Sequence, residues 1–132
     1  MKSILVAVLV GLLLGAATNS AIHGQQVKTP PVYVISEANE ITDLTSLKAE
    51  YLTKVNETLA PFKGHYHFVV RGGKTENLDG DAPPKGIVVI EFDSSEQAHA
   101  WYNSAAYAAI RPVRQAATKG RMFIVESVAQ CQ

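Results

Sequence analysis

"GIVVIEFDSSEQAHAWYNSAAYAAIRPVRQ", Gly86 to Gln115, decides the fold. Ile87 to Phe92 is a short run of β-branched and aromatic residues, the composition of a strand. Ser94 followed three residues later by Gln97 has the form of a capping box. Ala98, Trp101, Tyr102 and Ala105 then continue an apolar stripe at helical spacing, so the strand passes directly into a helix. Asn103-Ser104 can open a new cap and Pro112 disfavours helical geometry at Arg111. The pair predicts a break between Tyr102 and Ala105 and a second irregularity near Pro112.

The same alternation of periods extends outward in both directions. Upstream, "VYVISEA" (Val32 to Ala38) reads as a first strand. From Asp43, a helix cap, the residues Leu44, Leu47, Tyr51, Leu52, Val55 and Leu59 recur at helical spacing until Pro61 and Gly64 end the run. "HYHFVVR" (His65 to Arg71) is the second strand, and "NLDGDAPPKG" is a loop between it and the third, with Asp79-Gly80 as turn and Pro83-Pro84 unable to donate to a ladder. Downstream, Gly120 is expected to stop the second helix and "RMFIVESV" (Arg121 to Val128) to form the fourth strand. The order β, α, β, β, α, β is an α+β, ferredoxin-like arrangement: a four-stranded antiparallel sheet with two helices on one face.

The strands carry a further message. Ile87 and Val89 alternate with Val88, Ile90 and Phe92, and Met122 and Ile124 with Phe123 and Val125, so both faces of the sheet are apolar. A sheet with helices on one side and water on the other alternates apolar with polar. With no spare element in the chain, the second cover is a second copy, which predicts a homodimer through the sheet face.

The chain has 132 residues, enough for one domain, with 12 Lys and Arg against 12 Asp and Glu. That balance excludes a nucleic-acid partner, which needs clustered cations. Lys2, the apolar run Ile4 to Leu14 and the small residues Gly15, Ala16 and Ala17 have the layout of a secretory signal peptide, and the run is short for a bilayer span. The expected organisation is a leader over residues 1–24 with cleavage between 17 and 24, a linker over 25–31, the domain over 32–128 and a tail over 129–132. A secreted or periplasmic location follows, with no membrane anchor after cleavage. Cys131 is the only cysteine, so no intrachain disulfide forms.

"RGGKTENLDG", "VVIEFDSSEQAHAWYNSAAYAAIRPVRQ" and "GRMFIVESV" together resemble the signature blocks of the family called domain of unknown function 1330, in the dimeric α/β-barrel superfamily. The resemblance spans about Val32 to Val128 and implies the ferredoxin-like fold and a sheet-to-sheet dimer, but no particular reaction. After Asn103-Ser104 the family commonly carries a proline and an acidic residue where this chain has Ala105-Ala106, so chemistry resting on that acid does not transfer.

Two stretches are the leading ligand-binding candidates. Arg71-Gly72-Gly73-Lys74 leads into a hairpin loop, whereas a phosphate-binding loop leads into a helix N-terminus, so no nucleotide or other cofactor is expected. The glycines there permit either a bulge or the close approach of a ligand to the Arg71 cation. The second cluster is Trp101, Tyr102, Asn103, Ser104, Tyr107, Arg111 and Arg114, where aromatic faces beside guanidinium groups suit an aromatic or carboxylated small molecule. Glu37 and Glu91, expected to end two parallel neighbouring strands, are weaker candidates for acid or base work. His67 is also a weaker candidate. His65, His67 and His99 lack the spacing of a metal site, and no metal is expected. The expectation is an exported homodimer that binds a small aromatic or anionic molecule. A cofactor-independent monooxygenase or isomerase, a class present in the wider superfamily, and a structural dimer without ligand are the alternatives.

Overall fold

The computed structural model describes residues 29–71 and 73–128; the expected leader, most of the linker, Gly72 and the tail lie outside them. Four strands, β1 (Val32–Ile41), β2 (His65–Arg71), β3 (Gly86–Phe92) and β4 (Thr118–Glu126), form one sheet in the order β2-β3-β1-β4, every neighbouring pair antiparallel. Four helices, α1 (Leu44–Ser46), α2 (Val55–Leu59), α3 (Ser95–Asn103) and α4 (Ala105–Ala117), follow the chain order expected for a ferredoxin-like α+β domain. Val32, Val34, Ile90 and Phe92 of the sheet are buried with Leu47, Tyr51, Val55, Leu59, Ala98, Trp101, Tyr107, Ile110 and Ala117 of the helical layer. Among the described residues no helix is long and apolar enough to cross a membrane.

The first helical region is not the single helix that its apolar stripe predicts. Asp43 caps it, its Oδ1 accepting from the Ser46 N–H at 2.9 Å. Between α1 and α2, however, Leu47–Leu52 forms a π-helical turn, and a 3₁₀ turn, Ala60–Phe62, follows α2. Leu47, Tyr51, Val55 and Leu59 recur every fourth residue, which drifts around an α-helix of 3.6 residues per turn. The wider π turn absorbs that drift and keeps all four on the sheet. Lys63 leaves the helix in the left-handed region at φ 55, and at Gly64 a Cβ would sit 2.5 Å from Phe92 Cε1.

The break in the second helical region is where the sequence places it. Ser104 is extended, with ψ 148, and its hydroxyl accepts from the Tyr107 N–H at 3.2 Å while donating to the Trp101 carbonyl at 2.7 Å. The irregularity expected near Pro112 is absent, because α4 runs unbroken through it. The proline costs one backbone hydrogen bond, and burial of Tyr107, Ile110 and Ala117 on the same helix offsets that loss.

Gly120 does not end this helix. The chain turns extended at Thr118, so β4 begins before Arg121, and Gly120 lies within the strand opposite Ala38. The β1–β4 register shifts between Ala38 and Glu40, and a Cβ on Gly120 would overlap the Glu37 carbonyl. Glycine is required there by close backbone approach.

Glu37 and Glu91 do not sit side by side, because β1 and β3 are antiparallel rather than parallel. Glu91 lies opposite Tyr33 and Glu37 opposite Ile87, toward different ends of the sheet. The sheet face away from the helices carries Phe68, Val89, Ile35 and Phe123 in register, one from each of β2, β3, β1 and β4. On one side of this row Glu37 accepts from Arg121 Nε at 2.6 Å; on the other, Glu91 lies 2.9 Å from His67 Nδ1 and 3.7 Å from His65 Nε2.

Candidate functional site

A cavity of about 250 Å³ lies between the sheet and the first helical region. Its floor is built from all four strands: Tyr66 and Arg71 of β2, Gly86, Val88 and Ile90 of β3, Ser36, Ala38 and Ile41 of β1, and Thr118 and Met122 of β4. Leu44, Leu47, Lys48, Tyr51, Leu52 and Val55 form the wall, and Arg114 reaches in from α4. The π turn brings Leu47, Lys48, Tyr51 and Leu52 onto this wall together. A dry apolar cavity of about 150 Å³ suffices for benzene, so this one admits a larger body.

Its walls are apolar and its polar groups converge from two sides. Arg71 reaches over the Tyr66 ring, its guanidinium carbon 5.8 Å from the centroid. Burial raises the Tyr66 phenol above its ordinary value, and the hydrogen bond and charge of Arg71 act in the opposite direction. On the other side, Tyr51 Oη lies 3.4 Å from Tyr107 Oη, and the Tyr107 hydroxyl in turn faces Met122 Sδ at 3.8 Å. Burial, then Tyr107, raises the Tyr51 phenol far above its ordinary value, while the Arg114 charge lowers it. Arg114 Nε is buried and has no hydrogen-bond partner among the described residues. Among the described residues Lys48, Arg71 and Arg114 line the cavity, none of them takes part in an ion pair, and no carboxylate lines it.

The site residues expected from sequence divide into separate groups. Arg71 and Arg114, drawn from different stretches, share the cavity. Trp101 and Tyr107 are core: both are fully buried, their ring centroids 4.1 Å apart, and Trp101 Nε1 donates to Thr58 Oγ1 at 2.9 Å. Ser104 is the cap between α3 and α4. Tyr102 and Asn103 line a shallow cleft with Val34, Ala98, His99 and Ile124, away from Arg71. Arg111 stacks on Tyr102 and stays with that group. Gly73 follows β2 with an open flank, where an added Cβ would meet only Val70 Cγ1 at 3.6 Å, and the bulge of β2 falls instead at His67, between Tyr66 and Phe68. Glu37, Glu91 and His67 point to the opposite face of the sheet.

Lys48, Tyr51 and Tyr66 were not singled out by the sequence. Tyr51 sits in an apolar stripe and reads as core, but a buried tyrosine hydroxyl needs a partner, and that need is the available signal. Tyr66 faces the cavity because the bulge at His67 leaves it on the helix side of the sheet.

Over residues 31–128 the chain matches the family described as a domain of unknown function, DUF1330. It belongs to that family. Among solved structures it is similar to the RPA0582 protein of unknown function from Rhodopseudomonas palustris, at 12% identity and a TM-score of 0.59 over 77% of this chain and 85% of that one. A methylated form of RPA0582 gives 12% identity and a TM-score of 0.61 over 79% and 85%. An EthD-like protein from Ralstonia eutropha JMP134 is similar at 16% identity and a TM-score of 0.48 over 78% and 96%. No curated protein matches. At 12% identity the likeness to the RPA0582 structures is one of fold.

Proposed function

We propose that this DUF1330 member is an exported homodimeric binding protein for a small molecule with an apolar body of aromatic size and an anionic group. The observation that carries the reading is a cavity of about 250 Å³ whose lining, among the described residues, holds Lys48, Arg71 and Arg114 and no carboxylate. An apolar wall rewards burial of a hydrocarbon or ring, and unpaired guanidinium groups favour a carboxylate over a neutral ligand. Among the described residues no imidazole lines the cavity, and burial disfavours the ionised form of both of its phenols. Export is supported by Lys2 followed by the run Ile4 to Leu14. The homodimer is supported by the apolar row on the open sheet face, which a second copy would cover to close a barrel.

A thermal-shift screen of small aromatic and aliphatic carboxylic acids tests the binding reading, run on wild type, Arg71→Ala and Arg114→Met. The expected result is an acid that stabilises wild type and stabilises both variants less. Equal stabilisation of all three proteins would remove the cavity from the reading. Intact-mass measurement of protein from the native host tests export, which retention of Met1 to Ala17 would overturn.

A further inference from the structure

The three cations of the cavity come from three elements, Lys48 from the π turn. Arg71 belongs to β2, one edge of the sheet, and Arg114 to the helix that runs into β4, the other edge. The cavity floor crosses all four strands between them, a width of three inter-strand spacings or roughly 14 Å. Arg71 lies over the Tyr66 ring, and Arg114 lines the cavity together with Tyr51. The rest of the lining is mainly aliphatic, with Ala38, Leu47, Leu52, Val55, Val88 and Ile90, and also carries Lys48 and the Ser36 and Thr118 hydroxyls.

A ligand with one anionic end that pairs with Arg71, an exposed residue, leaves Arg114 without an acceptor. At the Arg114 pole that omission is costly, because its Nε is already buried without a partner. We infer that the ligand of this cavity is a dianion with an apolar spacer, a small dicarboxylate, one carboxylate held by Arg71 and Tyr66 and the other by Arg114 and Tyr51. The inference rests on the proposed binding function and narrows it to a class of ligand. Each carboxylate accepts from a guanidinium; the Tyr66 O–H is a further donor at one end, and at the other the Tyr51 O–H donates on turning away from Tyr107 Oη.

Isothermal titration of the full chain with matched pairs of acids tests this: heptanoate against heptanedioate, the neighbouring chain lengths in the same way, and benzoate against isophthalate. For at least one pair the dicarboxylate binds wild type about tenfold or more tightly than its monoacid, the contribution of one further charge-assisted contact. Arg71→Ala and Arg114→Met, folded by circular dichroism, each reduce the diacid to the affinity of the monoacid; where Arg114→Met does not fold, Arg114→Gln takes its place. If monoacids bind and no diacid binds more tightly, the two-pole inference falls while the binding function stands. A diacid preference that survives both arginine variants also overturns it. If no acid of either kind binds, both readings fail together.

Discussion

Arg111 and Tyr102 are joined twice across the break between α3 and α4. The Arg111 guanidinium carbon lies 4.7 Å from the centroid of the Tyr102 ring, and its Nη1 donates to the Tyr102 carbonyl at 3.2 Å. That carbonyl belongs to the last turn of α3, where intrahelical partners run out, so the side chain supplies a missing donor. Arg111 is thereby a brace of the helix break. Arg111→Ala is expected to lower stability by about 1 kcal/mol through loss of the stacked and hydrogen-bonded contacts. Binding of any acid that occupies the cavity is expected to be unchanged. Denaturant melts and titrations on the same samples check both halves, and a selective loss of binding would return Arg111 to the site.

Gly120 and Gly73 make a contrasting pair. A Cβ at Gly120 would collide with the Glu37 backbone, which cannot yield without opening the β1–β4 ladder. At Gly73 the nearest atom is a side-chain methyl in ordinary contact. Gly120→Ala is expected to cost about 3 kcal/mol, the upper end for overpacking, and Gly73→Ala to be nearly neutral. Chemical denaturation of the two variants decides the point.

Much of this fold was legible because local signals and burial agreed. The caps at Ser94 and Asp43, the break at Ser104 and the alternation in β3 each depend on a few adjacent residues and stand as read, save that the capping box at Ser94 is half formed: its hydroxyl accepts from the Gln97 N–H, while Gln97 Oε1 has no hydrogen-bond partner among the described residues. Gly120 and Pro112 misled for a common reason. Their local preferences, to stop or to irregularise a helix, were overridden by contacts with β1 and with the core, which lie far away in sequence. The site was legible only in part. Arg71 and Arg114 carry visible chemistry, but nothing local says that a π turn would place Lys48 and Tyr51 opposite them. Arg111 shares a helix with Arg114, and tertiary packing alone sends one to Tyr102 and the other to the cavity.

Thr58 holds the indole of Trp101 in the core. Its hydroxyl accepts from Trp101 Nε1 at 2.9 Å and donates to the Val55 carbonyl at 2.7 Å, and both residues are buried. Thr58→Val keeps the shape and removes the acceptor, leaving a buried N–H unpaired. The expected loss is about 2 kcal/mol. Tryptophan fluorescence should remain that of a buried indole while the unfolding midpoint falls; an unchanged midpoint would mean that the indole finds another acceptor.

The first helical region is expected to weaken in acid. The Ser46 hydrogen bond holds the Asp43 carboxyl below its ordinary value of 3.8. A carboxyl lowered in the folded state contributes stability above its unfolded value and loses it as pH falls through the folded one. The stability difference between wild type and Asp43→Ala should therefore be present at about pH 7 and vanish at about pH 2. Paired thermal melts at the two values measure it. A difference that persists in acid would show that the cap works through backbone conformation and not through the charge.

The open face of the sheet sets the last expectation, which rests on the proposed dimer. Phe68 is 49% exposed and Val125 40% exposed in the single chain; Val89 and Ile35 lie in register on the two strands between them, with Phe123 opposite Ile35 on the strand of Val125. A continuous apolar patch crossing four strands is more than soluble monomers ordinarily leave open. In a two-fold pair each residue near the axis meets its own copy or a close neighbour of it, so a substitution there acts on both sides of the interface. Light scattering at low micromolar concentration should report a dimer for wild type. Val89→Lys, which would bury two ammonium groups in the apolar centre, should yield a monomer with an unchanged circular dichroism spectrum, because its side chain points away from the helices and the core. A wild-type monomer, or a Val89→Lys dimer, would show that the two copies do not meet through this face.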